Sequence, residues 1–302
     1  MSHVVCRLPK AGLGNQLFPL MHAAVFSELN NIPLTVIGYH QIKIGPYLRK
    51  EKSKRHYLGF FKFEKNVIAA FLDELKVRKW LRQSEVVFEP ELIKLKEEQN
   101  SNKVYLFEQI PAYQDYFYHL RPYRSLVLNL LMNLISEKHL KNIATLTVPE
   151  IGVHIRMGDF RKLAPGEIFK GGHVRTPESY FINIINGIAE ISGKKMSVSV
   201  FTDGYKEEFE ELLIPENINI VEGNTDIEDM LLLSKSRLIV ISTSSTFSYW
   251  SGFLSDAPII MHPEHIHARI REKNKEDSLF EGGFDIAIPF LNKYFKKQGL
   301  KK

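Results

Sequence analysis

The segment His154-Ile-Arg-Met-Gly-Asp159 concentrates the groups best suited to chemistry. It closes the apolar run Ile151-Gly-Val-His-Ile155, which reads as a short buried strand, so Arg156 and Asp159 stand where a strand ends. An arginine there offers a planar, permanently charged fork to a phosphate or a carboxylate. The same spacing suits a plainer role, in which Arg156 and Asp159 pair only to fix the loop. Ser242-Thr-Ser-Ser-Thr-Phe-Ser248 joins another strand end to a helix start. Hydroxyls and free N–H groups in such a place can receive an anion, although helix capping alone would need one hydroxyl. Phe201-Thr-Asp-Gly204 marks a third strand end, where Asp203 either contacts a nucleoside or caps a turn.

Other motifs exclude chemistry. Gly12-Leu-Gly-Asn-Gln16 follows the first strand, but no Gly-Lys-Ser/Thr completes a Walker loop, and Leu17 stands where a dinucleotide fingerprint needs glycine. ATP and NAD are therefore not indicated; Asn15 and Gln16 bring amides to a helix start instead. His262-Pro-Glu-His265-Ile-His267 has no standard zinc spacing. No Asp-x-Asp or Gly-x-Ser-x-Gly occurs either, so no metal, no other cofactor and no nucleophile elbow is expected.

The elements that must position these groups alternate. In the second half, strands are expected at Ile151–Ile155, Met196–Phe201, Ile218–Val221, Leu238–Ile241 and Pro258–Met261. Helices are expected from Thr176-Pro177-Glu178 onward, with Thr176 as cap, and over Tyr205–Leu213, Asp226–Ser236 and Thr246–Leu254. Such alternation predicts a parallel sheet covered on both faces. The first half opens with a strand at His3–Leu8, a helix near Asn15–Asn30 and a strand at Leu34–Ile37, a βαβ unit beginning a second α/β domain. A boundary near 148 follows, giving domains 1–148 and 149–302. Ligands bind at the carboxyl ends of strands in open α/β sheets, and two such domains facing each other would form a cleft.

The chain has 302 residues, 44% of them hydrophobic and 25% charged, and a single Cys. This is globular composition, long enough for two domains. Cys6 cannot form an internal disulfide. The N-terminus does not read as a secretory signal, since Arg7 and Lys10 interrupt its apolar stretch, and no apolar run approaches a membrane span. The net charge of +5 is uneven. Residues 1–150 carry 21 Lys+Arg and 14 Asp+Glu, hence +7; residues 151–302 carry 19 and 21, hence −2. A basic first half suits an anionic surface such as a membrane, or is simply a solvated face. Nucleic acid is not expected, because no recognition motif accompanies the charge. Phe290-Leu-Asn-Lys-Tyr-Phe-Lys-Lys297 is a basic amphipathic stretch that either touches a membrane surface or packs as a terminal helix.

Together the motifs resemble the bacterial α-1,2-fucosyltransferases, glycosyltransferase family 11. Gly12-Leu-Gly-Asn-Gln-Leu-Phe18 is similar to the family's Gly-Leu-Gly-Asn-Gln-Met-Phe box, and Tyr113-Gln-Asp-Tyr-Phe117 to its Phe-Gln-x-x-x-Tyr-Phe segment. Val153-His-Ile-Arg-Met-Gly-Asp159 resembles His-Val-Arg-Arg-Gly-Asp, and Phe201-Thr-Asp203 resembles Phe-Ser-Asp-Asp. His173 lies seven residues before Tyr180, as a family His precedes its Tyr-Tyr pair. Asp229-Met-Leu-Leu-Leu-Ser234 and Ser245-Thr-Phe-Ser-Tyr-Trp250 resemble Asp-Leu-x-Leu-Met-Ser and Ser-Thr-Phe-Ser-Trp-Trp. The matches keep their order over residues 12–254. Four positions depart: Met157 for the second Arg, Gly204 for the second Asp, Ser244 for Asn and Tyr249 for Trp.

The resemblance implies a GT-B-like fold of two Rossmann-like domains and an inverting, metal-independent transfer of fucose from GDP-β-L-fucose. The acceptor would be an oligosaccharide or a lipid-linked glycan, held by the N-terminal domain and the aromatic segment. Arg156 would bind the diphosphate, with Ser245, Thr246 and Phe247 at the helix start beside it. Asp203 would contact guanosine or ribose, and Asn15 and His154 would position diphosphate or sugar. Asp159, Glu167 and His173 are the candidate bases. The expected location is the cytoplasm, with peripheral contact at the inner membrane face.

Overall fold

The structure is a computed structural model that describes every residue except 96–101, 214, 266, 273–278 and 300–302; of Tyr113 only the backbone is described. Chain contacts divide the molecule into two units. The first comprises residues 1–43, 55–142 and 267–272; the second comprises 44–54, 143–266 and 273–302. The main division thus falls after Asn142, and two short segments belong to the unit opposite in sequence.

In chain order the first part forms β1 (His3–Arg7), α1 (Leu13–Asn30), β2 (Leu34–Ile37), α2 (Gly45–Leu48), α3 (Val67–Gln83), β3 (Glu85–Phe88), β4 (Lys103–Phe107), α4 (Arg124–Leu134) and α5 (Glu137–Thr145). The four strands make one parallel sheet in the order β2-β1-β4-β3. Val4, Val5 and Cys6 of β1 are fully buried, as parallel strands covered on both faces require. The lone cysteine is thereby an internal apolar residue, and burial pushes its thiol pKa up. Turn chemistry around the Gly12 box is provided by side chains: Leu13 N–H donates to the Tyr57 hydroxyl at 3.0 Å, and Lys43 Nζ donates to Ala11 O at 2.7 Å while lying over the Tyr57 ring.

The second part forms β5 (Ile151–Ile155), α6 (Glu178–Ser192), β6 (Val198–Thr202), β7 (Ile218–Ile220), α7 (Asp226–Ser234), β8 (Leu238–Ile241), α8 (Thr246–Leu254), β9 (Ile259–Ile260), β10 (Glu281–Gly282) and α9 (Phe284–Lys297). All six strands are parallel, in the order β10-β9-β8-β5-β6-β7. Period-two alternation splits β5 between two faces. Val153 and Ile155 join Phe181, Ile184, Ile185 and Ile188 of α6 and Ala287, Leu291 and Phe295 of α9 in one core. Gly152 and His154 face the other way, toward α7 and α8. A Cβ at Gly152 would lie 2.2 Å from Ser236 Oγ and 2.6 Å from Leu233 Cδ1, so only glycine lets α7 approach.

Three expectations are corrected. Thr176 does not cap α6: Pro177 holds the N-cap position, and the Thr176 hydroxyl is buried, facing Thr243 N–H at 3.4 Å. Tyr205–Leu213 is not a helix beyond the single turn Lys206–Glu208. The reason is Glu178, whose carboxylate accepts the backbone N–H groups of Glu210, Glu211 and Leu212 at 2.9–3.2 Å and so removes them from any helical ladder. The sheet also has a sixth strand, β10, two residues long and without periodicity to announce it. As for α9, its apolar side is the side in the core, the packed-helix alternative; the basic Lys296 and Lys297 occupy its last turn.

The tight Gly152 contact gives a direct check. Gly152→Ala is expected to cost about 1–3 kcal/mol through overpacking, read as a fall in midpoint by chemical denaturation; an unchanged midpoint would contradict the packing described.

Candidate active site

The carboxyl ends of β6, β5 and β8 lie side by side. Register pairs Ile155 with Thr202 and His154 with Ile241, so Arg156, Asp203 and Ser242 each occupy the position just beyond the last pairing. The chain runs β5-β6-β7 to one side and then returns beside β5 to lay down β8-β9-β10 on the other. That reversal is the topological switch point, where open α/β sheets receive their ligands.

Arg156 is held from both sides. Its backbone N–H donates to Ser242 Oγ at 2.9 Å, and that hydroxyl in turn donates to His154 O at 2.9 Å. Its guanidinium donates to Asp203 Oδ2 through one nitrogen and to Asp159 Oδ1 through the other. The remaining Asp203 oxygen accepts the N–H groups of Met157 and Gly158, at 2.8 and 3.1 Å. Both oxygens of Asp203 are thus engaged inside the protein, the turn-capping alternative. The guanidinium also lies 5.5 Å over the Phe160 ring. The structure brings Arg156, Asp159, Asp203 and His154 together.

His154 is buried, with Nδ1 2.6 Å from Ser248 Oγ and its ring stacked on Phe247 at 4.8 Å. Burial is the main cause that lowers its pKa to about 3, opposed by Asp203 and reinforced by Arg156. It is therefore a neutral ring at neutral pH. As pH falls below 6.5 the unfolded chain takes up a proton that the folded chain refuses, so the stability this burial confers is lost from about pH 6.5 downward.

The run after β8 has divided duties. Ser242 braces Arg156, and Ser244 adopts a left-handed conformation (φ 56°) with its N–H donated to the Tyr249 hydroxyl at 2.6 Å. Ser245 is the N-cap residue of α8 and its side chain makes no capping bond. The first-turn N–H groups at Thr246 and Phe247 carry the positive end of the helix.

The base candidates separate. Arg161 and Val174 pair as an isolated bridge and close a loop, with Arg161 N–H donating to His173 O at 3.1 Å. Glu167 sits inside it, bound by both guanidinium nitrogens of Arg161 at 2.5 and 2.7 Å and by Ala164 N–H at 2.9 Å. These bonds hold its pKa near 2. His173 is exposed at the neck of the loop, edge-on to Phe160 at 5.2 Å, and Phe160 is the ring beneath Arg156.

Two further groups matter. Asp229, in the first turn of α7, accepts the Asn224 amide at 3.0 Å, and burial raises its pKa to about 7. Its place in Asp229-Met-Leu-Leu-Leu-Ser234 was the available signal, but helical spacing made the segment read as packing. The segment 44–54 reaches the same edge of the sheet: Tyr205 donates to Lys50 O at 3.1 Å, and Lys52 pairs with Glu222 at 3.3 Å. Asn15 belongs to the first unit, where its side-chain oxygen is buried without a hydrogen-bond partner among the described residues. The histidine trio is divided between the units, with His267 stacked on Tyr116 in the first. Among the described residues no group of three His, Cys, Asp or Glu is placed to hold a metal.

The model of glycosyl transferase family 11 matches residues 9–281. The chain belongs to glycosyl transferase family 11. It is therefore a glycosyltransferase, with the two α/β units of the GT-B class. Similar solved structures include the fucosyltransferase NodZ from Bradyrhizobium, at 13% identity and a TM-score of 0.50, covering 88% of this chain and 97% of that one. NodZ α-1,6-fucosyltransferase soaked with GDP-fucose matches at 11% identity and 0.49, covering 89% and 98%. POFUT1 in complex with GDP matches at 15% identity and 0.44, covering 86% and 98%. No curated protein matches the sequence.

Against the family 11 pattern, the four departures form two contacting pairs. A Cβ at Gly204 would lie 2.3 Å from Met157 Sδ and 2.9 Å from its Cβ, so Met157 fills the space of the missing side chain. An apolar contact stands where the family pattern has Arg and Asp. Likewise Ser244 occupies a left-handed position that asparagine tolerates better, and the hydroxyl of Tyr249, absent from a tryptophan, holds it there. Met157→Arg and Gly204→Asp are each expected to destabilise the fold, by a buried unpaired charge and by collision, whereas the double variant recovers about 1–3 kcal/mol of coupling. Strictly additive losses in a denaturation cycle would overturn the pairing.

Proposed function

We propose that this chain transfers L-fucose from GDP-β-L-fucose, with inversion, to O2 of a terminal galactoside in a surface glycan or lipopolysaccharide precursor. The observation that carries the donor reading is Arg156, preset between Asp203 and Asp159 at the switch point beside the start of α8. The family resemblance supplies the sugar and the linkage.

The acceptor hydroxyl attacks the anomeric carbon as the bond from that carbon to the diphosphate oxygen breaks. The electron pair of that bond leaves on GDP. Arg156 and the first-turn N–H groups of α8 stabilise the negative charge as it grows, and one such contact is worth about 3–4 kcal/mol in the transition state. In this reading these donors do the work otherwise given to a cation, and transfer is independent of metal. The acceptor proton goes to a base. His173 suits this role better than Glu167, because Glu167 is fully engaged by Arg161 and holds a proton weakly. Asp159 serves Arg156. With both oxygens of Asp203 committed to the loop, Asp229 is the carboxylate better suited to guanine, whose N–H edge a carboxylate accepts.

The test is transfer from GDP-fucose to a panel of β-galactosides, with the product linkage read by NMR and with GDP-mannose and UDP-galactose as competing donors. The reading expects an α-1,2 product from GDP-fucose, undiminished by EDTA, and a fall in kcat/KM on the order of 10²–10³ for Arg156→Ala. Preference for another donor would overturn the sugar assignment, with Met157 over Gly204 the first place to look. A metal requirement, or near-normal turnover by folded Arg156→Ala, would overturn the mechanism.

A further inference from the structure

The basic excess of the first half includes a surface that the sequence did not single out. Helix α3 packs Val77, Trp80 and Leu81 against the first sheet. Its opposite side carries Val67, Ile68, Phe71, Leu72 and Leu75, which are 43–75% exposed. At 100° per residue these five positions fall on one arc, spaced i, i+1, i+4, i+5 and i+8. The same arc continues toward the C-terminus through Arg78, Lys79 and Arg82, all exposed, with Lys76 at one border and Glu74, 3.6 Å from Arg78, at the other. One face of a single helix is therefore apolar over its first half and cationic over its second.

We infer that α3 docks on an anionic lipid bilayer, with its N-terminal turns among the acyl-chain boundary and Arg78, Lys79 and Arg82 at the headgroups. Three considerations favour this occupant. A solvent-facing run of five large apolar side chains is unfavourable unless something covers it. A bilayer interface offers apolar and anionic layers in the order the helix presents them. A second copy of the chain does not. Antiparallel pairing of two α3 helices would lay each cationic half on the partner's apolar half, and parallel pairing would set cation against cation. The C-terminal helix α9 is the poorer candidate, because its apolar side is already in the core. The inference stands apart from the donor reading, since neither α3 nor its face enters the active site.

Co-sedimentation of the full chain with vesicles tests it. The wild-type chain should pellet with equal parts phosphatidylcholine and phosphatidylglycerol and remain in solution with phosphatidylcholine alone. Phe71→Ser with Leu75→Ser should weaken binding by about tenfold, and Arg78→Gln with Lys79→Gln and Arg82→Gln by at least about tenfold. Lys296→Gln with Lys297→Gln should change nothing. All variants should keep the wild-type melting temperature. A Phe71→Trp reporter should shift its emission to the blue on anionic vesicles, which electrostatic adhesion alone would not produce. The inference fails if the wild-type chain ignores anionic vesicles, if the α3 variants bind as the wild type does, or if the apolar variant instead dissolves a dimer that shows no affinity for lipid.

Discussion

The carboxylate of Asp203 is the interaction on which the proposed donor site depends. One side chain accepts two backbone N–H groups of the loop after β5 and an N–H of Arg156. It therefore fixes both the course of that loop and the direction of the Arg156 guanidinium. Ser242 completes the arrangement from the neighbouring strand. An untethered arginine would lose several rotamers on meeting a diphosphate; here that ordering is already made when the sheet folds. The register of three parallel strands is what puts the three residues abreast, so the site is a consequence of sheet order as much as of residue type.

Much of this was legible in the sequence because parallel strands are short apolar runs and the helices between them have the helical period. β2, β5, β8 and α8 fall where the pattern predicts them. The misreading of residues 205–213 has a physical source, a side chain that captures backbone groups from a distance. Glu178 takes the N–H groups that a helix at 209–212 would have used, and nothing within that segment announces it. At the site, Arg156, Asp159, His154 and Asp203 were visible as residues at strand ends. Whether Asp203 touched a nucleoside or capped a turn was not, because the distinction depends on where the Met157 and Gly158 amides point. The pairing of Met157 with Gly204 was equally invisible, since the two positions lie 47 apart in the chain and only the fold puts Met157 where a side chain at 204 would stand.

Charge is distributed with the same economy. The second part of the chain carries a net −2 although its proposed ligand is an anion. In the proposed function bulk potential does not gather the diphosphate, and a few fixed donors do so. The surplus of the first part is spent in part on α3, where cations continue an exposed apolar face. A neutral His154, a carboxylate at Glu167 that resists protonation and an Asp229 whose pKa burial raises to about 7 show three titratable groups within one unit tuned apart by burial and pairing.

The central claim is that Arg156, preset by Asp203, is the diphosphate receptor. Calorimetric titration of GDP and of guanosine into wild-type and Arg156→Ala protein tests it most directly, because it needs neither acceptor nor turnover. The account predicts that the wild type binds GDP more tightly than guanosine, and that Arg156→Ala weakens GDP by about 10- to 100-fold while leaving guanosine unchanged. Equal GDP affinity in the two proteins would contradict it.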